Sequence, residues 1–212
     1  MNDNGSVKGP LSAAVPEGSF DSDFVVLGPP SLNTLLDYDA VLLYENGTFE
    51  HATAVGSRLA QYVAAGGNLI IGSFYWQNRS DSGFGNAGWG GLESLDPFTS
   101  SGGAVYGSGS LGSVSAHPIT EGVTALGADR WWGGVNAKGS TTVVASWADG
   151  TALAGFRTLE GGQRIVAISG FPGLMGQCCS SGDYTTLWAN AVRWAGGAGG
   201  PSRVAAVFLP GY

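Results

Sequence analysis

The chain has 212 residues, enough for one α/β domain with a sizeable core. Charged residues make up 12% where about 25% is usual, glycine occurs 37 times, and the formal net charge is −7. So acidic a chain, with nine Lys and Arg together, offers no basic face to nucleic acid, and no apolar run reaches the roughly 18 residues of a membrane span. Nucleic acid and membrane insertion are therefore not expected.

Low charge, abundant Gly, Ser and Thr, and seven Trp suit an extracellular domain, so composition predicts a secreted protein at the cell surface, in a mature, trimmed form. The two cysteines, Cys178 and Cys179, are adjacent and far from both histidines, too few for a zinc site. They are either a vicinal disulfide or two half-buried loop thiols.

In chain order, residues 6–15 predict a short, poor helix interrupted by Gly9 and Pro10, and residues 23–27 a strand ended by Gly28, Pro29 and Pro30. Ser31 caps a brief helix with Leu32, Leu35 and Leu36 as its apolar face. Residues 39–44 (DAVLLY) are a near-continuous apolar run, as in a parallel strand covered on both faces. Val55, Leu59, Tyr62 and Val63 then form one helical stripe that Gly66 and Gly67 terminate, and residues 68–72 are the next buried strand. A strand, helix and strand of this length predict a right-handed crossover in a parallel sheet, with any ligand at the carboxyl ends of the strands, residues 44–51 and 73–76.

Residues 77–103 read as a long loop carrying Phe84, Trp89, Leu92, Leu95 and Phe98. Short strands at 104–106 and 111–114 follow, then His117, Pro118, Ile119 and Thr120 lead into a turn at Glu121 and Gly122. Residues 141–147 and 151–158 form a β-hairpin through Asp149 and Gly150, and residues 164–169 are another buried strand. Asp183 caps a last helix with Tyr184, Leu187, Trp188, Ala191 and Ala195 in helical period. After glycines 196–200, residues 203–209 (RVAAVFL) are one more buried strand.

Chemistry has few carriers. His51 follows the strand at 39–44, so with Ser73 and Glu45 or Glu50 it could form a Ser-His-acid set. His117, in His-Pro-Ile-Thr, is expected to pin its loop by a backbone hydrogen bond. Tyr75, Trp76, Trp89, Trp131 and Trp132 lie in loop-like segments, where flat rings stack on sugars or on a protein partner, or pack beneath the loop. Asp21, Asp23 and Asp81 match no calcium-loop spacing, so no metal and no cofactor are expected.

These segments resemble the class I glutamine amidotransferase-like superfamily, and more closely an uncharacterised branch found as modules in secreted bacterial proteins. The matching stretches are 36–44 (LDYDAVLLY), 62–67 (YVAAGG), 117–123 (HPITEGV), 145–151 (ASWADGT) and 187–195 (LWANAVRWA), within residues 20–196. The resemblance implies a flavodoxin-like parallel sheet with helices on both faces. It also implies a cysteine nucleophile after the strand at 69–72 and a His-Pro-Glu partner at 170–173. Here those places hold Ser73, Phe74, Tyr75 and Trp76, and Gly170, Phe171, Pro172 and Gly173, so glutamine hydrolysis by that triad is not expected.

Such folds also begin with a central strand that this chain lacks at its start, while it carries a surplus one at its end. The strand Arg203, Val204, Ala205, Ala206, Val207, Phe208 and Leu209 is therefore expected to fill the first-strand slot, in its own molecule or in a neighbour. The expected organisation is one domain over residues 1–196, a flexible linker at 197–202, and the completing strand within 203–212. The function expected is a non-catalytic extracellular structural or interaction module, self-assembling head to tail as a homo-oligomer or filament. A glycan- or cell-surface-polymer-binding module and a Ser/His hydrolase are the alternatives.

Overall fold

The structure, a computed structural model, describes residues 4–25, 29–46, 51–76, 88–105, 107–129, 132–177, 179–197 and 203–210. The elements begin with helix α1 (Asn4–Ala14), strand β1 (Ser19–Val25), α2 (Leu32–Leu35), β2 (Ala40–Asn46), α3 (Ala52–Ala64) and β3 (Asn68–Gly72). They continue with β4 (Phe98–Val105), β5 (Ser108–Val114), β6 (Leu126–Asp129), β7 (Trp132–Ala137), β8 (Thr142–Trp147) and β9 (Ala152–Thr158). Last come β10 (Arg164–Ile168), β11 (Ser180–Gly182), α4 (Tyr184–Gly196) and β12 (Arg203–Pro210).

A ten-stranded sheet runs in the order β1-β12-β2-β3-β10-β9-β8-β5-β6-β11, with β4 and β7 as a separate pair. The first five strands are parallel. From β10 onward the sheet turns antiparallel, so the expected parallel sheet is one half of a mixed one. Apolar runs at β2, β3 and β10 bury both faces, as parallel strands require: Val41, Leu43, Leu69, Ile71 and Ile165 meet α3, while Leu42, Ile70, Val166 and Ile168 meet α1 and α4. The fold is thus α/β, with helices on both faces.

The C-terminal strand lies between β1 and β2 of its own chain, parallel to both, with Val204 opposite Ala40 and Phe208 opposite Tyr44. Its entry is pinned at Asp39, whose N–H donates to the Arg203 carbonyl at 2.9 Å and whose Oδ2 accepts from the Arg203 N–H at 2.7 Å. The Arg203 guanidinium covers the Tyr38 ring at 5.3 Å, and the Tyr38 hydroxyl donates to Asp21 on β1. Asp21 on this outer strand also places charge on an edge that would otherwise invite pairing.

Four expectations are corrected. The first helix is not interrupted: α1 runs through Pro10, because Val7, Leu11 and Val15 are each buried on the α4 side. Burying three such side chains contributes roughly 1.5–3 kcal/mol each, against about 3 kcal/mol for an interior proline. Leu36, assigned to the apolar face of α2, is 46% exposed, and Leu35 alone of the pair is buried. Asp183 stands at the N-cap position of α4, its carbonyl accepting from the Leu187 N–H at 3.0 Å, but its side chain makes no cap bond. Its Oδ2 accepts from the N–H groups of Thr124 and Ala125 at 2.8 and 3.0 Å, tying the segment before β6 to the start of α4. Strands β6, β7 and β11 lie where no strand was expected. Their sequences, LGAD, WGGVNA and SSG, carry too much glycine and serine for an alternating pattern to show.

Candidate functional site

By the rule for open sheets, a site belongs where β2, β3 and β10 end. Among the described residues that edge is filled by buried side chains. The Tyr44 and Phe171 rings meet edge to face at 5.9 Å, and Phe74 lies 5.7 Å from Phe171. All three are buried. Ser73 is held by its N–H, which donates to the Gly170 carbonyl at 3.0 Å; the residue is 0% exposed, and its hydroxyl has no hydrogen-bond partner among the described residues. Behind it the Ser169 hydroxyl donates to the Ala152 carbonyl at 2.6 Å and accepts from Trp147 Nε1 at 2.8 Å. The Tyr184 hydroxyl donates to the Phe171 carbonyl at 3.0 Å, and burial pushes its pKa upward, so it holds its proton.

The residues expected to work with Ser73 are not gathered around it. His51 stands exposed just before α3, its carbonyl accepting from the Val55 N–H. Glu45 pairs through its backbone with Leu209 on β12; its side chain and Glu50 fall outside the described residues. A buried hydroxyl and a solvent-facing imidazole have no path for proton transfer, so the described residues assemble no Ser-His pair.

The aromatic candidates turn inward. Tyr75, Trp76 and Trp89 are no more than 5% exposed. Trp89 stacks on Tyr75 at 4.7 Å and 13°, and its Nε1 donates to the Tyr75 carbonyl at 2.8 Å. Trp76 packs on Tyr75 and Phe98. Rings at this depth contact the protein on their faces and present none to a sugar. Trp131 lies outside the described residues, as does the side chain of Trp132 on β7. Cys178 is likewise outside them, and Cys179 is half-buried against the α4 face of the core. No group of three His, Cys, Asp or Glu among the described residues could hold a metal ion.

An opening lies elsewhere, beside the 3-10 turn Pro118–Thr120. A groove of about 550 Å³ is lined by Val114, Ser115, His117, Pro118, Thr120 and Glu121. His117 Nδ1 accepts from the Ile119 N–H at 3.2 Å, while its ring stacks on Phe156 at 4.5 Å and meets Trp194 edge-on at 5.3 Å. Burial lowers its pKa, so the neutral, Nδ1-accepting form is favoured, as the loop-pinning bond requires. Arg164 lies 5.0 Å over the Trp194 ring.

Along this groove β5 has lost a neighbour. Residues 108–110 pair with β6, but among the described residues Leu111 to Val114 pair with β8 alone. Val114 is 40% exposed and Val143 on β8 37%. The sequence carries little signal for this edge, since SGSLGSV has no alternating face. The neighbouring His-Pro-Ile-Thr was its only marker.

No protein-family model matches the chain, and no curated protein does. Solved structures do share its fold. Cytoplasmic protein STM3548 from Salmonella typhimurium is 16% identical, with a TM-score of 0.65 over 88% of this chain and 85% of its own. Cytoplasmic protein STM1381 from Salmonella typhimurium LT2 is 18% identical, with a TM-score of 0.57 over 87% of this chain and 85% of its own. At such identities the likeness establishes the fold alone. Both neighbours are described as cytoplasmic, which overturns the secreted, extracellular placement drawn from composition and resemblance. The extracellular module is withdrawn with it. Among the described residues the hydrolase and glycan-binding alternatives find no assembled site, because buried Ser73 is apart from exposed His51 and the rings of Tyr75, Trp76 and Trp89 are buried.

Proposed function

We propose that this chain is a class I glutamine amidotransferase-like protein that no longer hydrolyses glutamine and serves as a binding scaffold, its partner being a second copy of itself met along β5. The observation that carries the first part is the sealing of the carboxyl edge: Ser73, where the resemblance calls for a cysteine nucleophile, is 0% exposed beside the buried rings of Tyr44, Phe74 and Phe171. A nucleophile needs an approach path and a base, and the described residues provide neither. The second part rests on the half-paired β5 beside exposed Val114 and Val143. An unpaired edge with apolar neighbours can join its own copy about a two-fold axis, each strand extending the other's sheet.

Incubating the protein with glutamine should release no ammonia, and chromogenic esters should be cleaved no faster than by Ser73→Ala. Turnover abolished by Ser73→Ala would overturn the loss of hydrolysis. Sedimentation should show a dimer that Val114→Arg converts to monomer; a wild-type monomer at all concentrations would remove the pairing.

A further inference from the structure

Residues 88–97 cross over the turn that follows β3 and are fastened at both ends. At the start, Thr53 on α3 donates to the Gly88 carbonyl at 2.9 Å, the Trp89 N–H donates to Glu93 Oε1 at 2.7 Å, and the Trp89 ring lies on Tyr75. At the other end, Arg157 on β9 donates to the carbonyls of Ser94 and Leu95 at 2.8 and 3.0 Å. Lys138, just past β7, donates to the Glu93 carbonyl and forms an ion pair with Asp96. The Lys138 N–H and the Thr141 hydroxyl both donate to the Pro97 carbonyl.

Within this fastening one ionised group is out of water: Asp96 is 2% exposed. The titratable and charged groups facing it are Lys138 beyond β7, Glu93 on the strap itself and Tyr75 on the turn beneath, while Arg157 holds the carbonyls just before it. Helix α3 meets the strap through Thr53, Gly56, Ser57 and Ala60, none of them titratable. We propose that residues 88–97 form a proton-coupled strap over Tyr75 and Trp76, in which the Asp96 carboxyl is the sensor and Lys138 and Arg157 are the anchors.

The sign follows from where the carboxyl goes. Under the closed strap, burial raises the Asp96 pKa to about 6, and the pairing with Lys138, which favours the ionised form, does not offset it. Opening returns the group to water, where a carboxylate titrates near 4. The closed form therefore binds the proton more tightly, so closure strengthens as pH falls through 6 and weakens as pH rises. Acid tightens the strap, the opposite of a salt bridge that acid would break.

Amide hydrogen exchange tests this. After correction for intrinsic rates, the N–H groups of Leu92, Leu95 and Asp96 should open roughly tenfold less often at pH 5 than at pH 7, the change expected for a carboxyl pKa raised by about two units, while Ile70 and Val166 in the sheet stay unchanged. Asp96→Asn, which mimics the protonated group, should remove the pH response and hold the strap closed. Lys138→Met should move the transition to higher pH. A wild-type strap with equal protection at pH 5 and 7, or a response that persists in Asp96→Asn, would overturn the proposal. Should the Asn variant not fold, the wild-type profile and Lys138→Met decide it.

Discussion

In the parallel half, β2, β3 and β10 end in interlocked rings and a buried serine, whereas in the antiparallel half β5 runs past Ser110 with a neighbour on one side and a groove beside it. The parallel half has the apolar runs and the expected site position, yet among the described residues its carboxyl edge is closed by buried rings. The antiparallel half has glycine- and serine-rich strands, with the His-Pro-Ile-Thr turn as the one marker beside the half-paired edge, yet it holds the groove. Access in this fold is decided by which side chains plug a sheet edge, and the topology that creates the edge does not reveal it.

The strongest way to break that contrast is to remove residues 203–210. This takes the shared neighbour from both β1 and β2, exposing two strand edges and the apolar surface around Val204, which is 1% exposed. The expected outcome is loss of the folded state, read as loss of cooperative thermal unfolding. A truncated chain that still melts cooperatively would show that the parallel half does not need its last strand.

A smaller effect is expected at Gly56. A Cβ there would lie 1.9 Å from the Trp89 carbonyl oxygen, so the strap's backbone must shift. Gly56→Ala should cost about 2 kcal/mol in denaturant unfolding, an overpacking penalty of roughly 3 kcal/mol less about 1 kcal/mol of regained helix propensity. Stability equal to wild type would mean that the strap is not seated on α3.

The smallest concerns the antiparallel half. The N–H bonds from Thr124 and Ala125 hold the Asp183 carboxyl below the usual carboxylate range. A depressed native pKa contributes stability above the unfolded value and loses it as pH falls through the native one. Asp183→Ala should therefore lower the melting temperature at neutral pH, with the gap from wild type closing below about pH 4. A gap that persists in acid would assign the loss to packing.

Much of the architecture was legible in order. The DAVLLY run, the stripe of Val55, Leu59, Tyr62 and Val63, and the NLIIG strand are β2, α3 and β3, and Gly66, with φ of 105°, closes the helix between them. The site was much less legible. Ser73 and His51 stand at the expected edge in the linear order, but one faces the core and the other solvent. Tyr75, Trp76 and Trp89 sit in turns, where aromatics usually meet a ligand, and here they form the strap's own packing.

Residue order and period determined the elements, because a buried parallel strand and an amphipathic helix each impose a local pattern that a short window carries. Tertiary structure decided what no window holds: that β12 slots between β1 and β2, that the Asp183 side chain serves Thr124 and Ala125 in place of its own helix, and that Asp96 is cut off from water beside Lys138. Burial is a property of the assembled chain, set by residues far apart in sequence, and it is burial that fixes which polar groups can react, titrate or be reached.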